Sequence, residues 1–151
     1  MQLLQGDCLD LMTGIPDGSI DMILCDLPYG TTACKWDTVI PFEHLWEHYK
    51  RIIKPNGAIA LFGSEPFSSH LRMSNLKWFK YDWIWHKSAP TGFASAKYRP
   101  MGNHETISIF TQTKTKYYPQ KIPATHGRKP GGKNGSNGNT PSDVYGALVS
   151  G

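Results

Sequence analysis

No apolar run in this chain approaches the ~20 residues that a membrane helix needs. The opening residues Met1 to Asp7 carry neither the basic region nor the long apolar region of a signal peptide. A membrane-spanning or exported chain is therefore not expected, and a cytoplasmic one is. Cysteine is scarce. Cys8, Cys25 and Cys34 are odd in number and form no Cys-x-x-Cys pair, which fits reduced thiols better than a disulfide framework. Charged residues make up 19% and hydrophobic residues 39% of 151 residues, so the chain is not disordered by composition and suffices for one domain with a core. Acidic residues are missing between Thr111 and Asp143, while Lys114, Lys116, Lys121, Arg128, Lys129 and Lys133 accumulate there. The formal charge of +4 and the pI of about 9.0 favour a polyanionic partner.

What is present is centred on Ile20-Asp21-Met22-Ile23-Leu24-Cys25 followed by Asp26-Leu27-Pro28-Tyr29-Gly30. The first part is an apolar run of strand length. The second stops it, because Pro28 cannot donate to a sheet ladder and Gly30 permits positive φ. A carboxylate, a proline carbonyl and an aromatic ring are thus delivered at the carboxyl end of a buried strand, where open α/β sheets bind ligands. The exocyclic amino group of a nucleobase is a poor nucleophile, since its lone pair is delocalised into the ring. Two acceptors on its hydrogens would localise that pair. Asp26 can supply one, and the main-chain carbonyl of Leu27 or Pro28 the other. Tyr29 offers a face on which an extruded base can stack.

The rest of the chain alternates strand and helix. Gln2 to Gln5 reads as a short strand, Cys8 to Gly14 as a short helix, and Pro16 to Ser19 as a turn, so the opening resembles a parallel crossover unit. Asp7 stands where a helix cap would. Pro41 opens a helix whose Phe42, Leu45, Trp46, Tyr49, Ile52 and Ile53 recur at three- and four-residue steps. Strands are predicted over Ala58 to Phe62, Lys80 to Trp85 and Asn103 to Phe110, with a helix over Pro66 to Leu76. This alternation predicts an α/β fold with a mostly parallel, doubly wound sheet. Lys35 and Trp36 lie in a polar loop after the central motif, placed to wall a site. From Trp85 to Pro100, Lys87, Lys97 and Arg99 are interleaved with Phe93 and Tyr98 without periodicity, which suits phosphate contact combined with base stacking. Residues 112–151 read as a basic, Gly-rich flexible segment, and 1–111 as the catalytic part.

Three other motifs lack their context. His44-Leu45-Trp46-Glu47-His48 has the His-x-x-Glu-His spacing of a zinc peptidase but no evident third ligand, and no metal is expected. Gly127 to Lys133 fits most of a phosphate-binding loop, but Asn134 replaces the needed Ser or Thr and no strand precedes it. No cysteine follows a proline, which disfavours methylation at C5 of cytosine through a cysteine nucleophile.

The stretch Asp26-Leu27-Pro28-Tyr29 resembles the Asp-Pro-Pro-Tyr motif of amino-group DNA methyltransferases, with Leu27 in place of the first proline. Trp85-x-Lys87, Gly92-Phe93, Lys97-x-Arg99-Pro100 and His104-Glu105 are shared with the same family. The resemblance covers Leu4 to about Gln120 and implies S-adenosylmethionine as cofactor, with Asp7, Cys8 and Asp26 near it. It implies double-stranded DNA with a flipped target base as substrate, N6 of adenine as the acceptor, and a position for Phe93 near that base. N4 of cytosine is the near variant, usually served by Ser where Asp26 stands. A non-catalytic DNA-binding remnant is the alternative of another class. The family holds the methionine part of its cofactor with a Gly-rich turn, yet this chain contains no Gly-x-Gly. The first two strands of the family's sheet are also not found. The chain is therefore expected to be the N-terminal, catalytic part of a longer enzyme, inactive alone, with the missing half or a cognate restriction endonuclease as a further partner.

Overall fold

The computed structural model describes residues 2–115 and 117–120. Met1–Lys116 is one compact unit, and the basic segment from 121 to 151 lies outside the described residues. The elements are α1 (Cys8–Thr13), β1 (Ile20–Asp26), α2 (Phe42–Ile52), β2 (Ile53–Gly63), α3 (Phe67–Ser74), β3 (Phe79–Thr91), a single 3₁₀ turn (Phe93–Ser95) and β4 (Gly102–Phe110).

The four strands form one sheet in the order β1-β2-β4-β3. β1 and β2 are parallel, joined through α2. The other two pairings, β2 with β4 and β3 with β4, are antiparallel, so the α/β sheet is mixed rather than mostly parallel. The cause is the connection after β3. Ten residues separate Thr91 from Gly102 and carry only one 3₁₀ turn, too little for the helical crossover that a parallel neighbour requires. A second expectation also fails: Gln2 to Gln5 forms no strand, with Leu3 83% and Leu4 55% exposed. Among the described residues the outer edge of β1 has no strand beside it, so this short segment has no ladder to join.

Helix boundaries follow from capping and periodicity. Asp7 caps α1, its Oδ1 accepting from the Leu9 amide at 2.8 Å. Arg51, at the end of α2, donates to the carbonyls of Met12 (2.6 Å) and Ile15 (2.7 Å), tying α2 to the end of α1 and the turn after it. The apolar stripe of α2 is buried at Leu45, Trp46, Tyr49 and Ile52. The register passes from Ile20↔Ile53 to Met22↔Ala58, so the Pro55-Asn56-Gly57 stretch is absorbed as a bulge inside a longer β2.

Alternation then divides the sheet into two faces. Ile23, Cys25, Ile59, Leu61 and Phe110 face the helices and join Leu45, Trp46, Leu71 and Phe67 in the main core. The other face carries Ala60, Phe62, Ile107 and Ile109. It continues to Met22 and Leu24 on β1 and to Tyr81, Trp83 and Trp85 on β3, all substantially exposed. Stability is therefore concentrated on the helical side. Leu71→Ala, at a fully buried site of α3, is expected to cost about 2–5 kcal/mol in urea unfolding. Leu76→Ala, at a site 60% exposed, should stay within about 0.5 kcal/mol of the parent.

Candidate active site

Asp26 is the last residue of β1, paired with Phe62, and it shares the face opposite the helices. Leu27 turns into the core at 5% exposure, leaving only its main chain for any ligand. Pro28 and Tyr29 are half-buried. The Tyr29 ring packs on Phe67, centroids 4.9 Å apart at 32°, and its hydroxyl donates to Asp26 Oδ1 at 2.6 Å. Burial, then the hydrogen bond to Asp26, hold the phenol protonated and well above its ordinary range, so it is a fixed donor. Tyr29 thus has two attachments: one ring face against the core and its hydroxyl on the carboxylate. It also lines an apolar cavity of about 360 Å³ with Val39, Phe42, Pro66 and His70.

The loop after Tyr29 is held by a residue that sequence reasoning passed over. Asp37 is only 8% exposed. Its carboxylate accepts from three successive amides: Gly30 at 2.9 Å, Thr31 at 2.9 Å and Thr32 at 2.7 Å. The Thr32 side chain and these amides lower its pKa to about 2. Gly30 sits at φ 69°, and a Cβ there would lie 3.0 Å from Val39. The lone clue in the sequence is an aspartate seven residues after a glycine in a polar loop. Trp36, beside it, is 75% exposed and Lys35 is exposed, so both face outward.

The remaining predicted residues fall into two groups. Lys87 and Arg99 line one cavity of about 410 Å³ together with Thr31, Ser64, Thr91 and Glu105. Lys87 is not free: its Nζ is 2.5 Å from Glu105, another residue the sequence reading did not single out as a site. Phe93 on the 3₁₀ turn is 83% exposed, and Lys97 is exposed on the same connection. Asp7 and Cys8 lie at the start of α1. Cys8 lies near enough to Cys25, the residue before Asp26, for its charge to be felt there, although burial is the main cause raising the Cys25 thiol.

A family model described as DNA methylase, of the N6/N4 type, matches residues 20–147. The chain belongs to this family. It is 31% identical over 134 residues to the type II methyltransferase M.HinfI of Haemophilus influenzae, covering 70% of this chain and 36% of that protein. It is 26% identical over 161 aligned positions to M.HpaI of Haemophilus parainfluenzae, covering 95% and 49%. The chain therefore spans half or less of the length of these curated relatives. Two solved structures share the fold with a TM-score of 0.55 each: the PvuII DNA methyltransferase, described as cytosine-N4-specific, at 14% identity over 73% of this chain and 48% of that one, and M1.HpyAVI in complex with SAM, at 17% over 81% and 61%.

The three-amide clamp has a defined pH signature. Asp37 is depressed from about 3.8 to about 2 when folded, so its contribution is complete above the unfolded value and disappears as pH falls through the folded one. The urea midpoint of the parent should exceed that of Asp37→Asn by a constant margin above pH 5. The margin should shrink between about pH 4 and pH 2. A margin that is unchanged at pH 2 would show that the carboxylate charge is not what holds the loop.

Proposed function

We propose that this chain carries the target-base half of a DNA methyltransferase that moves a methyl group from S-adenosylmethionine to N6 of adenine. The observation that carries the reading is the state of Asp26. One carboxylate oxygen takes the Tyr29 hydroxyl, while the other accepts no hydrogen bond among the described residues. A carboxylate so divided keeps one oxygen as a free acceptor at the last residue of β1. An extruded adenine would give one amino hydrogen to that oxygen and the second to the Pro28 carbonyl, which localises the nitrogen lone pair. Tyr29 would present its ring to the base. Trp36, Phe93, Lys97 and Arg99, exposed around this edge, supply stacking and phosphate contacts.

The residues present fit part of the cofactor. Asp7 uses Oδ1 to cap α1, and its Oδ2 accepts no hydrogen bond among the described residues, which leaves an acceptor for a ribose hydroxyl or an adenine amino group. Cys8 beside it is exposed. No Gly-x-Gly occurs anywhere in the sequence to approach the methionine part. When bound, S-adenosylmethionine supplies the electrophilic methyl group. The chain's own work is to hold the amino group, exclude its planar resonance form and accept the released proton at or through Asp26. Asp26 rather than serine at the head of the motif favours adenine over cytosine.

Methyl transfer from tritiated S-adenosylmethionine tests the assignment, with the C-terminal part of a curated relative supplied alongside the chain. Asp26→Ala should lose at least ~10²-fold in rate, the scale of one oriented electrostatic group. DNA affinity should hold within a few-fold, because base contacts add little to the phosphate-driven part of binding. A variant within a few-fold of the parent in rate would sink the reading. Tyr29 separates two roles. Tyr29→Ala should weaken binding to DNA with an unpaired target base by ~1–3 kcal/mol. Tyr29→Phe should keep that affinity and the 2-aminopurine quench while transfer slows, since only the hydroxyl that orients Asp26 is lost.

A further inference from the structure

Lys87 and Glu105 form an ion pair inside the cavity at the carboxyl edge of β1 and β2, with side chains 27% and 21% exposed. β4 runs antiparallel to β2, and Gly63 pairs with Thr106, so Glu105 lies just beyond the end of β2. Asp26 pairs with Phe62, Phe62 with Ile107, and Glu105 with Trp85. By alternation Asp26, Phe62, Trp85, Glu105 and Lys87 share the face opposite the helices. Phe62 and Trp85 meet on that face with ring centroids 6.0 Å apart. β2 alone separates β1 from β4, so about 10 Å lies between the two backbones. Thr31 borders both this cavity and the one lined by Tyr29. The charge of Glu105 is felt at the Tyr29 phenol.

Glu105 neutralises Lys87 inside the cavity, while Glu65 on its wall pairs with Arg72. A phosphate beside Lys87 would meet the Glu105 carboxylate, whereas a neutral heterocycle would meet donors and acceptors together. Adenine and cytosine share one edge: an amino group beside an unprotonated ring nitrogen, N1 in adenine and N3 in cytosine. Guanine and thymine reverse it, with a carbonyl beside a ring N–H. Asp26 can answer the amino half of that edge only, and a donor is needed for the ring nitrogen. Lys87 has three N–H donors, of which Glu105 takes one.

We propose that Lys87 is a specificity-determining residue that donates to the ring nitrogen beside the target amino group, and that Glu105 is the positioning residue that fixes and neutralises it. This rests on the methyltransferase reading above, but it gives Lys87 the base edge rather than a phosphate, and it explains selection of amino-bearing bases as a class.

Base analogues test it with the 151-residue chain itself. Duplexes of one sequence carry adenine, 1-deazaadenine, 7-deazaadenine or no base opposite an abasic site. A second set carries cytosine or 3-deazacytosine. Phosphate contacts are identical within each set, so affinity differences by fluorescence anisotropy report the base alone. The wild type should bind 1-deazaadenine or 3-deazacytosine about ten-fold more weakly than the parent base, as for a lost hydrogen bond to a charged donor, and 7-deazaadenine within two-fold. Lys87→Met should treat each parent base and its deaza partner alike. Glu105→Gln should bind all duplexes at least as well as the wild type, through a freed lysine, yet discriminate less. Wild-type indifference to the ring nitrogen, with the base itself still preferred over no base, overturns the role of Lys87 and spares the methyltransferase reading. Indifference to the base altogether overturns both. If Lys87→Met fails to melt cooperatively, the wild-type analogue series still decides. Glu105→Gln losing affinity equally for every duplex would make Glu105 structural only.

Discussion

One buried carboxylate fixes where the chain goes after its central motif. A strand that ends at a proline and a positive-φ glycine has to leave the sheet, and without a partner its amides would be lost to solvent or to disorder. Asp37 accepts the three amides of Gly30, Thr31 and Thr32 and turns that exit into a defined loop. Gly30 completes the constraint, since its φ of 69° and the nearby Val39 both disfavour a side chain. Everything on the carboxyl edge depends on this. Thr31 borders both cavities, and Tyr29 is held at one end by Phe67 and at the other by Asp26. Catalysis by orientation needs such over-determined positions.

The sheet separates what keeps the protein folded from what faces a ligand. The helical side buries Ile59, Leu61, Phe110 and Leu71 completely, under α2 and α3. The opposite side has small or half-covered residues: Ala60 and Phe62 in the middle, Leu24 and Trp83 toward the edges. Asp26 and Glu105 belong to that second side by register. Arg72 marks the contrast on the helical side. Its hydrogen bonds to Ser108, Thr106 and Asp82 join α3 to β4 and β3, where the core itself needs polar closure.

Much of this was legible in the sequence, and the parts that were not share a cause. α2 declared itself through the spacing of Leu45, Trp46, Tyr49 and Ile52, and β1 through an apolar run stopped by Asp26-Leu27-Pro28. Both signals are local. The segment Gln2 to Gln5 carried an equally local signal and failed, because a strand exists only where a neighbour offers a ladder. The antiparallel return of β4 was hidden for the same reason: strand order is a property of connections, and the length from Thr91 to Gly102 decides it. Lys87 read as an exposed cation among aromatics. Its partner Glu105 is 18 positions away and meets it only through the pairing of β3 with β4. Asp37 read as a polar loop residue, since nothing in its neighbours reports that three amides turn toward it.

The pairing of Lys87 with Glu105 bears on how a basic protein avoids binding DNA in the wrong place. An unpaired lysine at the carboxyl edge would attract any phosphate, and a backbone seated there would cover Asp26 without presenting a base. Pairing it with Glu105 removes that attraction and keeps the donors that a neutral edge can use. The exposed cations Lys35 and Lys97 lie on loops, where phosphate contact would position a duplex rather than fill the site. On the role proposed for Lys87, positioning and reading fall to different lysines, and the sheet register, which sets Glu105 opposite Trp85 and two residues from Ile107, makes the difference between them.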